Sequence, residues 1–295
     1  MLKMESLEDI KKMYKLSEDE HDKIQQYILR IYFDNKAPVA NPKAIIDIAP
    51  PASGKTGLNG YGTNEFIDNN VIIINSDELK PYHPKIEEIS RRYPQYFTKI
   101  TDQESNTWTS TLFDEALKKG YNVIFEGTGK NSRILNTIRD KMHGYNVIVR
   151  GMAVNELNCL ISIIERYEGQ LSRKGFGRLV TQDHFYETYN NMPNTIDEIE
   201  KSGLVDRVEV FRRGKEPTQP IKIYSSDEDG KYGNAKYAVL GGRSEDIEDA
   251  KLNFQRVKVF LYNLSQRENQ SREELEMISK ILEIEQEIES KKKMR

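Results

Sequence analysis

The sequence predicts an α/β protein: a mostly parallel sheet flanked by helices, with an N-terminal helix and a C-terminal helical extension. Three observations carry that expectation. Short runs rich in Ile and Val alternate with longer amphipathic stretches from residue 43 onward. The first run leads directly into APPASGKT, Ala49 to Thr56, which ends like a phosphate-binding loop but lacks its opening glycine. Two later runs end in the polar clusters NSDELK and FEGTGKN, at the sheet edge where ligands bind in open α/β folds.

Taken in order, residues 1–42 form a helical lead, in which EDEHDKIQQYILRIYF sets Ile24, Tyr27, Ile28 and Ile31 at helical spacing. Residues 43–226 form the core. KAIIDIA, NVIIIN (70–75), YNVIFEG (121–127) and YNVIVRGMAV (145–154) are apolar on both faces, as strands buried inside a parallel sheet are. RVEVFRR (207–213) is a further strand, and IKIYSS (221–226) an antiparallel edge strand. Helical patterns fill the intervals at 83–96, 103–119, 131–142, 155–170 and 183–202. Residues 227–295 form the extension: a turn-rich DEDGKYGNAKY, then two charged amphipathic helices, GGRSEDIEDAKLNFQRVKVFLYNLSQ and SREELEMISKILEIEQEIESKKKMR, which pack on the chain's own core, serve a partner interface or cover the site in cis, self-packing being the first expectation.

The composition narrows the function classes. With 37% hydrophobic and 31% charged residues, the chain builds a core beneath a strongly polar surface. No apolar run approaches the roughly 20 residues of a membrane span. The N-terminal stretch lacks an apolar signal core, and the single cysteine, Cys159, fits a reducing cytoplasm. A net charge of −3 gives no general attraction to nucleic acid. Four histidines and one cysteine disfavour a structural zinc site.

The chemistry concentrates at the strand ends. In a phosphate loop, backbone N–H groups converge on an anion at a helix N-terminus. Here Pro51, Ala52, Ser53, Gly54, Lys55 and Thr56 are the nucleotide-binding candidates, with Lys55 directed at the β- and γ-phosphates and the Thr56 hydroxyl at Mg²⁺. Ala49 stands where the first glycine is expected, and Ala52 where glycine is frequent. Alanine costs free energy in either position only if the turn there is left-handed. Asp77 can accept a proton from a substrate hydroxyl, or can simply belong to a helix cap with Asn75 and Ser76. Glu126 can orient Mg²⁺ through water and Thr128 can bond substrate. Arg166, Arg173, Lys174 and Arg178 surround Gly175 and Gly177 in a basic, glycine-bearing loop suited to a lid and to stabilising a transferring phosphoryl group. His83 and His184 are candidates of lesser weight. Trp108 and Cys159 read as core.

In this order and spacing, SGKT, INSDELKPYHP, GYNVIFEGTGKN, MAVNE with IERYE, then GR and VTQDH resemble the zeta toxins, the kinase halves of bacterial epsilon/zeta toxin–antitoxin systems. The resemblance runs from about residue 20 to about 225. It implies a P-loop kinase sheet and ATP- or GTP-dependent phosphorylation of UDP-N-acetylglucosamine at the 3′-hydroxyl of the amino sugar, which depletes a cell-wall precursor. It also implies Lys55 and Thr56 at nucleotide and metal, Asp77 as base, Glu126 and Thr128 beside substrate and metal, Arg166 and Arg178 on the transferring phosphate, and Lys80 near the substrate. Arg178 aligns through a one-residue gap, which makes Arg173 its rival. The family's sugar-binding glutamate falls at Ser110, and the next carboxylate is Asp114, one turn on. A small helical antitoxin that blocks the nucleotide site is the implied partner. Two other readings fit the residues: a kinase of the same fold with another acceptor (another nucleotide-sugar, a nucleoside, an antibiotic or a dinucleotide), and a protein that binds nucleotide without efficient transfer.

Overall fold

The computed structural model describes residues 6–293 apart from 176, 217 and 269. The chain opens with α1 (Leu7–Tyr14) and α2 (Glu18–Phe33). Each starts at a serine whose hydroxyl accepts a backbone N–H. Ser17 and Glu20 form a reciprocal capping box, which satisfies two otherwise unpaired donors. The lead is thus two helices. Of its apolar stripe, Ile28 is fully buried while Tyr27 and Ile31 are largely exposed.

The core follows as β1 (Lys43–Ile48), α3 (Lys55–Thr63), β2 (Ile72–Ile74), the short α4 (Ser76–Leu79), α5 (Ile86–Arg92), α6 (Phe97–Lys119), β3 (Val123–Gly127), α7 (Ile134–Lys141), β4 (Asn146–Met152), α8 (Glu156–Lys174), α9 (Gln182–Lys201), β5 (Arg207–Arg212) and β6 (Ile221–Ser225). Strands lie in the order β2-β3-β1-β4-β5-β6, all parallel except β6, which pairs antiparallel with β5 at one edge. This is the mostly parallel, helix-flanked sheet expected. β1 lies inside it between β3 and β4, so the loop that follows β1 emerges at the centre of the carboxyl edge.

Alternation along β1 sorts its side chains to opposite faces. Ala44, Ile46 and Ile48 join Trp108 and Leu112 of α6 and Met192, Ile196 and Ile199 of α9 in the largest apolar cluster. Ile45 faces the other way and packs with Ile124 and Ile148, its register partners on β3 and β4. One expectation fails on this second face. The strands are not apolar on both sides, because one step further along the register pairs Asp47 with Glu126 and with Arg150, and Arg150 with Glu209. A row of ionisable groups therefore crosses the sheet beneath α3. Asp47 and Arg150 are fully buried and Glu209 nearly so.

The extension also departs from expectation. Its described residues hold three helices, α10 (Ala235–Glu245), α11 (Ile247–Ser265) and α12 (Arg272–Lys293). The run that reads as one helix from Gly241 is divided at Asp246, where the backbone ends one helix and starts the next. α10 packs on α9, while α11 and α12 pack on α8. The division has a physical cause: one oxygen of the buried Asp246 carboxylate accepts the Asn155 backbone N–H at 2.7 Å and the Asn158 amide at 2.9 Å, at the N-terminus of α8. No helix among the described residues is long and apolar enough to cross a membrane.

Replacing Asp246 by Ala leaves those buried donors unpaired. The expected result is a loss of about 1–3 kcal/mol of unfolding free energy, read from the urea midpoint of the variant against the parent protein.

Candidate functional site

The phosphate loop keeps its shape without its first glycine. Ala49 is buried, and its backbone lies outside the left-handed region, so alanine carries no penalty there. The left-handed residues are Ala52, with φ 57°, and Gly54, with φ 106°. The strain anticipated for alanine thus falls at Ala52. Ser53, fully buried, closes the turn by donating its hydroxyl to the Pro50 carbonyl at 2.8 Å. From outside, Arg213 donates to the carbonyls of Ala52 and Ser53. Gly54 then caps α3, which starts at Lys55 as expected. Lys55 is partly buried and Thr56 exposed at the helix entrance.

Asp77 is freed from capping by its neighbour. The Asn75 side chain accepts the Asp77 backbone N–H at 2.9 Å and caps α4, so the Asp77 carboxylate projects from the sheet edge. Its Oδ1 accepts from Lys80 at 2.7 Å and from Arg178 at 2.9 Å. Burial pushes its pKa up, but Arg178 and Lys80 outweigh that and hold it at about 2. Lys80 is itself buried, and it also pairs with Asp102 of α6 at 2.8 Å.

Glu126, at the end of β3, takes amide donors from Asn59 of α3 and, at 2.9 Å, from Asn75. Thr128 follows, half-buried. Burial lowers the pKa of Lys55, against the pull of Glu126 and Asp77. Burial and then the nearby Arg178 lower that of Arg166. A half-buried lysine and an exposed arginine thus face one region without full compensation, an arrangement that attracts anions. Arg178 and Arg173 differ in what they reach. Arg178 reaches Asp77, and its backbone N–H is held by Gln170 at 2.8 Å, whereas Arg173 bonds the Gly169 carbonyl of its own helix.

No bound Mg²⁺ is part of the structure, and the residues fit one held mainly by nucleotide and water. Thr56 offers an accessible hydroxyl beside the loop, and Glu126 keeps acceptor capacity beyond its two amide bonds. Among the described residues no cluster of three or more His, Cys, Asp or Glu forms a metal cage.

The other residues singled out in the sequence are placed as follows. His83 is buried between the Tyr14 carbonyl and the Lys85 N–H. His184 lies half-buried near Arg178 and Lys130, and burial and those charges lower its pKa. Trp108 is core, stacked on His21, and burial pushes the Cys159 thiol up to about 12. Ser110 is exposed, and Asp114 is spent on Lys141 at 2.7 Å. The α6 carboxylate that reaches the Asp77 cluster is Asp102.

Several residues of this assembly are not evident in the sequence: Asp47, Asn59, Asp102, Arg150 and Arg213. Asn59 alone carries a signal, since it lies one helical turn from Lys55. Asp47 is the most unusual. Neither carboxylate oxygen has a partner, and burial first, then Glu126, raises its pKa to about 7 against Arg150 and Lys55.

A family model described as Zeta toxin matches residues 28–229. The chain belongs to the zeta toxin family. It is 27% identical over 208 residues to Toxin zeta of Streptococcus agalactiae, covering 70% of each chain. To Toxin zeta of Enterococcus hirae it is 29% identical over 194 residues, covering 65% of this chain and 66% of that one. Among solved structures, that of the PezAT toxin–antitoxin system of Streptococcus pneumoniae superposes with a TM-score of 0.69 at 19% identity, over 83% of this chain and 98% of that one. The AvrRxo1-ORF1:-ORF2 complex superposes at 0.53 and 11% identity, over 90% and 84%. At these identities the structural likenesses establish the fold.

The pKa of Asp47 makes a further prediction. It is raised from an ordinary 3.8 to about 7, so the folded state holds a proton that the unfolded state releases. The stability this contributes is complete below pH 3.8 and is lost as pH rises through about 7. Asp47→Asn, neutral throughout, will gain stability relative to the parent across that interval, by an amount on the order of a few kcal/mol at most. Urea unfolding of both proteins at pH 5 and pH 8 measures it, and an equal difference at the two pH values would contradict the assignment.

Proposed function

We propose that this zeta toxin family member is a kinase that transfers the γ-phosphoryl group of ATP or GTP to a hydroxyl of UDP-N-acetylglucosamine, and acts as the toxin of a toxin–antitoxin pair. The observation that carries the reading is a carboxylate, Asp77, held ionised by Lys80 and Arg178 at the same sheet edge as the phosphate loop. Family membership supports it. The AvrRxo1-ORF1:-ORF2 structure with ATP, which superposes with a TM-score of 0.50 at 12% identity, makes ATP the first donor to test.

The chain's own groups have distinct parts in such a transfer. The loop from Pro51 to Thr56 cradles the donor phosphates, with Lys55 against the outer ones. Thr56, and Glu126 through water, would hold Mg²⁺, whose charge would offset that of the phosphate oxygens. Asp77 at a pKa of about 2 is a weak base while Arg178 and Lys80 bind it, so its first task is to accept the acceptor's O–H and aim the oxygen. A transferring phosphoryl group draws Arg178 and Arg166 toward itself, which loosens the hold on Asp77 and raises its basicity as the hydroxyl proton departs. The transition state in such transfers is loose, so late proton removal suffices. Thr128 and Lys80 line the acceptor side.

A second reading keeps the transfer and changes the acceptor. Ser110 stands where the family's sugar-binding glutamate is expected and points to solvent, and the nearest α6 carboxylate comes from Asp102 instead. A partner protein is also proposed, since the structural relatives include the PezAT toxin–antitoxin system and the AvrRxo1-ORF1:-ORF2 complex.

ADP release coupled to UDP-N-acetylglucosamine tests the acceptor: turnover no faster than the uncoupled ATPase rate removes it, and mass detection over a panel of nucleotide-sugars and nucleosides then decides the alternative. Asp77→Asn will lower kcat by about 100-fold or more while leaving nucleotide affinity near that of the parent. Cells expressing Lys55→Ala will grow where cells expressing the parent chain do not. Equal growth of the two would exclude the toxin reading.

A further inference from the structure

Arg213, the residue after β5, reaches two parts of the site. Its Nε donates to the Ser53 carbonyl at 3.2 Å, and its Nη2 donates to the Ala52 carbonyl and, at 3.1 Å, to the Ser162 hydroxyl of α8. Arg166 lies one turn beyond Ser162 on the same face of that helix. All three acceptors are neutral oxygens, so none of these bonds cancels the guanidinium charge. The side chain also runs along the outside of Gly54: a Cβ added there would lie 3.7 Å from the Arg213 Cγ.

This placement answers a need of this loop. A phosphate cradle turns its N–H groups inward, which leaves its carbonyls facing out and in want of donors. Pro50 and Pro51 offer no N–H and fix their own φ, so the reversal falls on Ala52 and Gly54. Glycine adopts a left-handed conformation freely, but Ala52 adopts it against the crowding of its own Cβ. A neighbouring group must therefore hold Ala52 in place, and the guanidinium fork bonds the carbonyl of that residue and of the next. A lysine there offers a single ammonium group without the planar fork.

We propose that Arg213 is a positioning residue for the nucleotide: it holds the phosphate loop in the left-handed turn that Ala52 disfavours, and it fixes that loop against the helix carrying Arg166. The inference rests on the nucleotide site proposed above. It predicts an energetic coupling between residues 52 and 213 that a general structural role would not produce.

The experiment is a double-mutant cycle of Arg213→Ala, Ala52→Gly and the combined variant, with Arg213→Lys beside it. Mg²⁺-ADP affinity is measured by calorimetry and stability by urea unfolding. Arg213→Ala weakens ADP binding by about tenfold, the factor to which left-handed strain at one alanine corresponds. Arg213→Lys recovers only part of the loss. Ala52→Gly restores affinity in the Arg213→Ala background by several-fold more than it changes the parent. If Ala52→Gly has the same effect in both backgrounds, the inference is overturned. It is equally overturned if Arg213→Ala lowers the urea midpoint while the folded variant binds ADP as the parent does. If the parent chain binds no Mg²⁺-ADP, the nucleotide reading fails by itself. The loop-holding claim is then decided by the urea cycle, where Ala52→Gly must raise the midpoint more in the Arg213→Ala background.

Discussion

Arg150 is buried completely in the middle of the sheet, and much of the site's geometry follows from what that burial demands. A guanidinium removed from water needs a partner for nearly every donor. Its Nε pairs with Glu209 on the adjacent strand at 2.8 Å, and its Nη2 pairs with Glu65, just beyond α3. The rings of Tyr61 and Phe211 lie 5.4 and 5.7 Å from its guanidinium carbon. Leaving such a charge without a partner typically costs about 3–5 kcal/mol. The pair with Glu65 therefore fixes the far end of α3 on the sheet, while Nη1 is left without a hydrogen-bond partner. The contact is close enough that a Cβ on Gly62 would come within 2.9 Å of Nη1. Because α3 begins at Lys55, its docking also constrains where the phosphate loop ends. The loop is thus constrained at one end by β1, at the other by α3, and along its outer carbonyls by Arg213. Three such constraints explain how a loop with alanine at two positions where glycine is common keeps a compact turn.

The same row of charges sets the electrostatics of the edge above it. Asp47 and Arg150 occupy the same register level, and Glu126 extends that level toward β3. Above it, Lys55, Arg166, Lys80 and Arg178 converge, and two of these have their cationic forms disfavoured by burial. Asp77 satisfies part of this positive potential and in return is held strongly ionised. In the proposed transfer an incoming polyphosphate would compete with Asp77 for Arg178. Donor binding and the readiness of Asp77 to accept a proton would then be linked through one guanidinium, without any need for a large conformational change.

The fold was legible because it rests on local pattern: apolar runs of strand length, helical spacing between them, and polar residues where strands end. The grouping of the candidate residues was legible for the same reason, since carboxyl ends of parallel strands are one edge in space. What could not be read depends on register and on side-chain reach. Asp47 sits within KAIIDIA, where one carboxylate among isoleucines does not disturb the strand signal, and only the pairing with β3 and β4 shows that it belongs to a charged row. Arg213 is the second of two arginines ending RVEVFRR, and nothing local separates a loop clamp from a solvated strand end. The break at Asp246 escaped because its backbone remains near-helical, so periodicity runs through a boundary set by tertiary hydrogen bonds to α8.

The geometry of α6 constrains what the edge can recognise. The middle of that helix is committed to the core: Trp108, Leu112 and Phe113 are buried, Ser110 faces solvent, and Asp114 is engaged by Lys141. Only its N-terminal turns approach the Asp77 cluster, and they do so through Asp102. One oxygen of Asp102 is fixed by Lys80, and the carboxylate is still partly exposed. A group held in this way can accept a hydrogen bond from a ligand without first paying to be ordered. An acceptor that presents a second donor near the reacting hydroxyl, as a sugar does, would meet two carboxylates bridged by one ammonium group. That arrangement differs from a glutamate projecting from mid-helix in reach and angle, because Lys80 fixes it to Asp77 itself. In the proposed kinase, acceptor preference would therefore be tied to the same ion pair that sets the state of its proposed base.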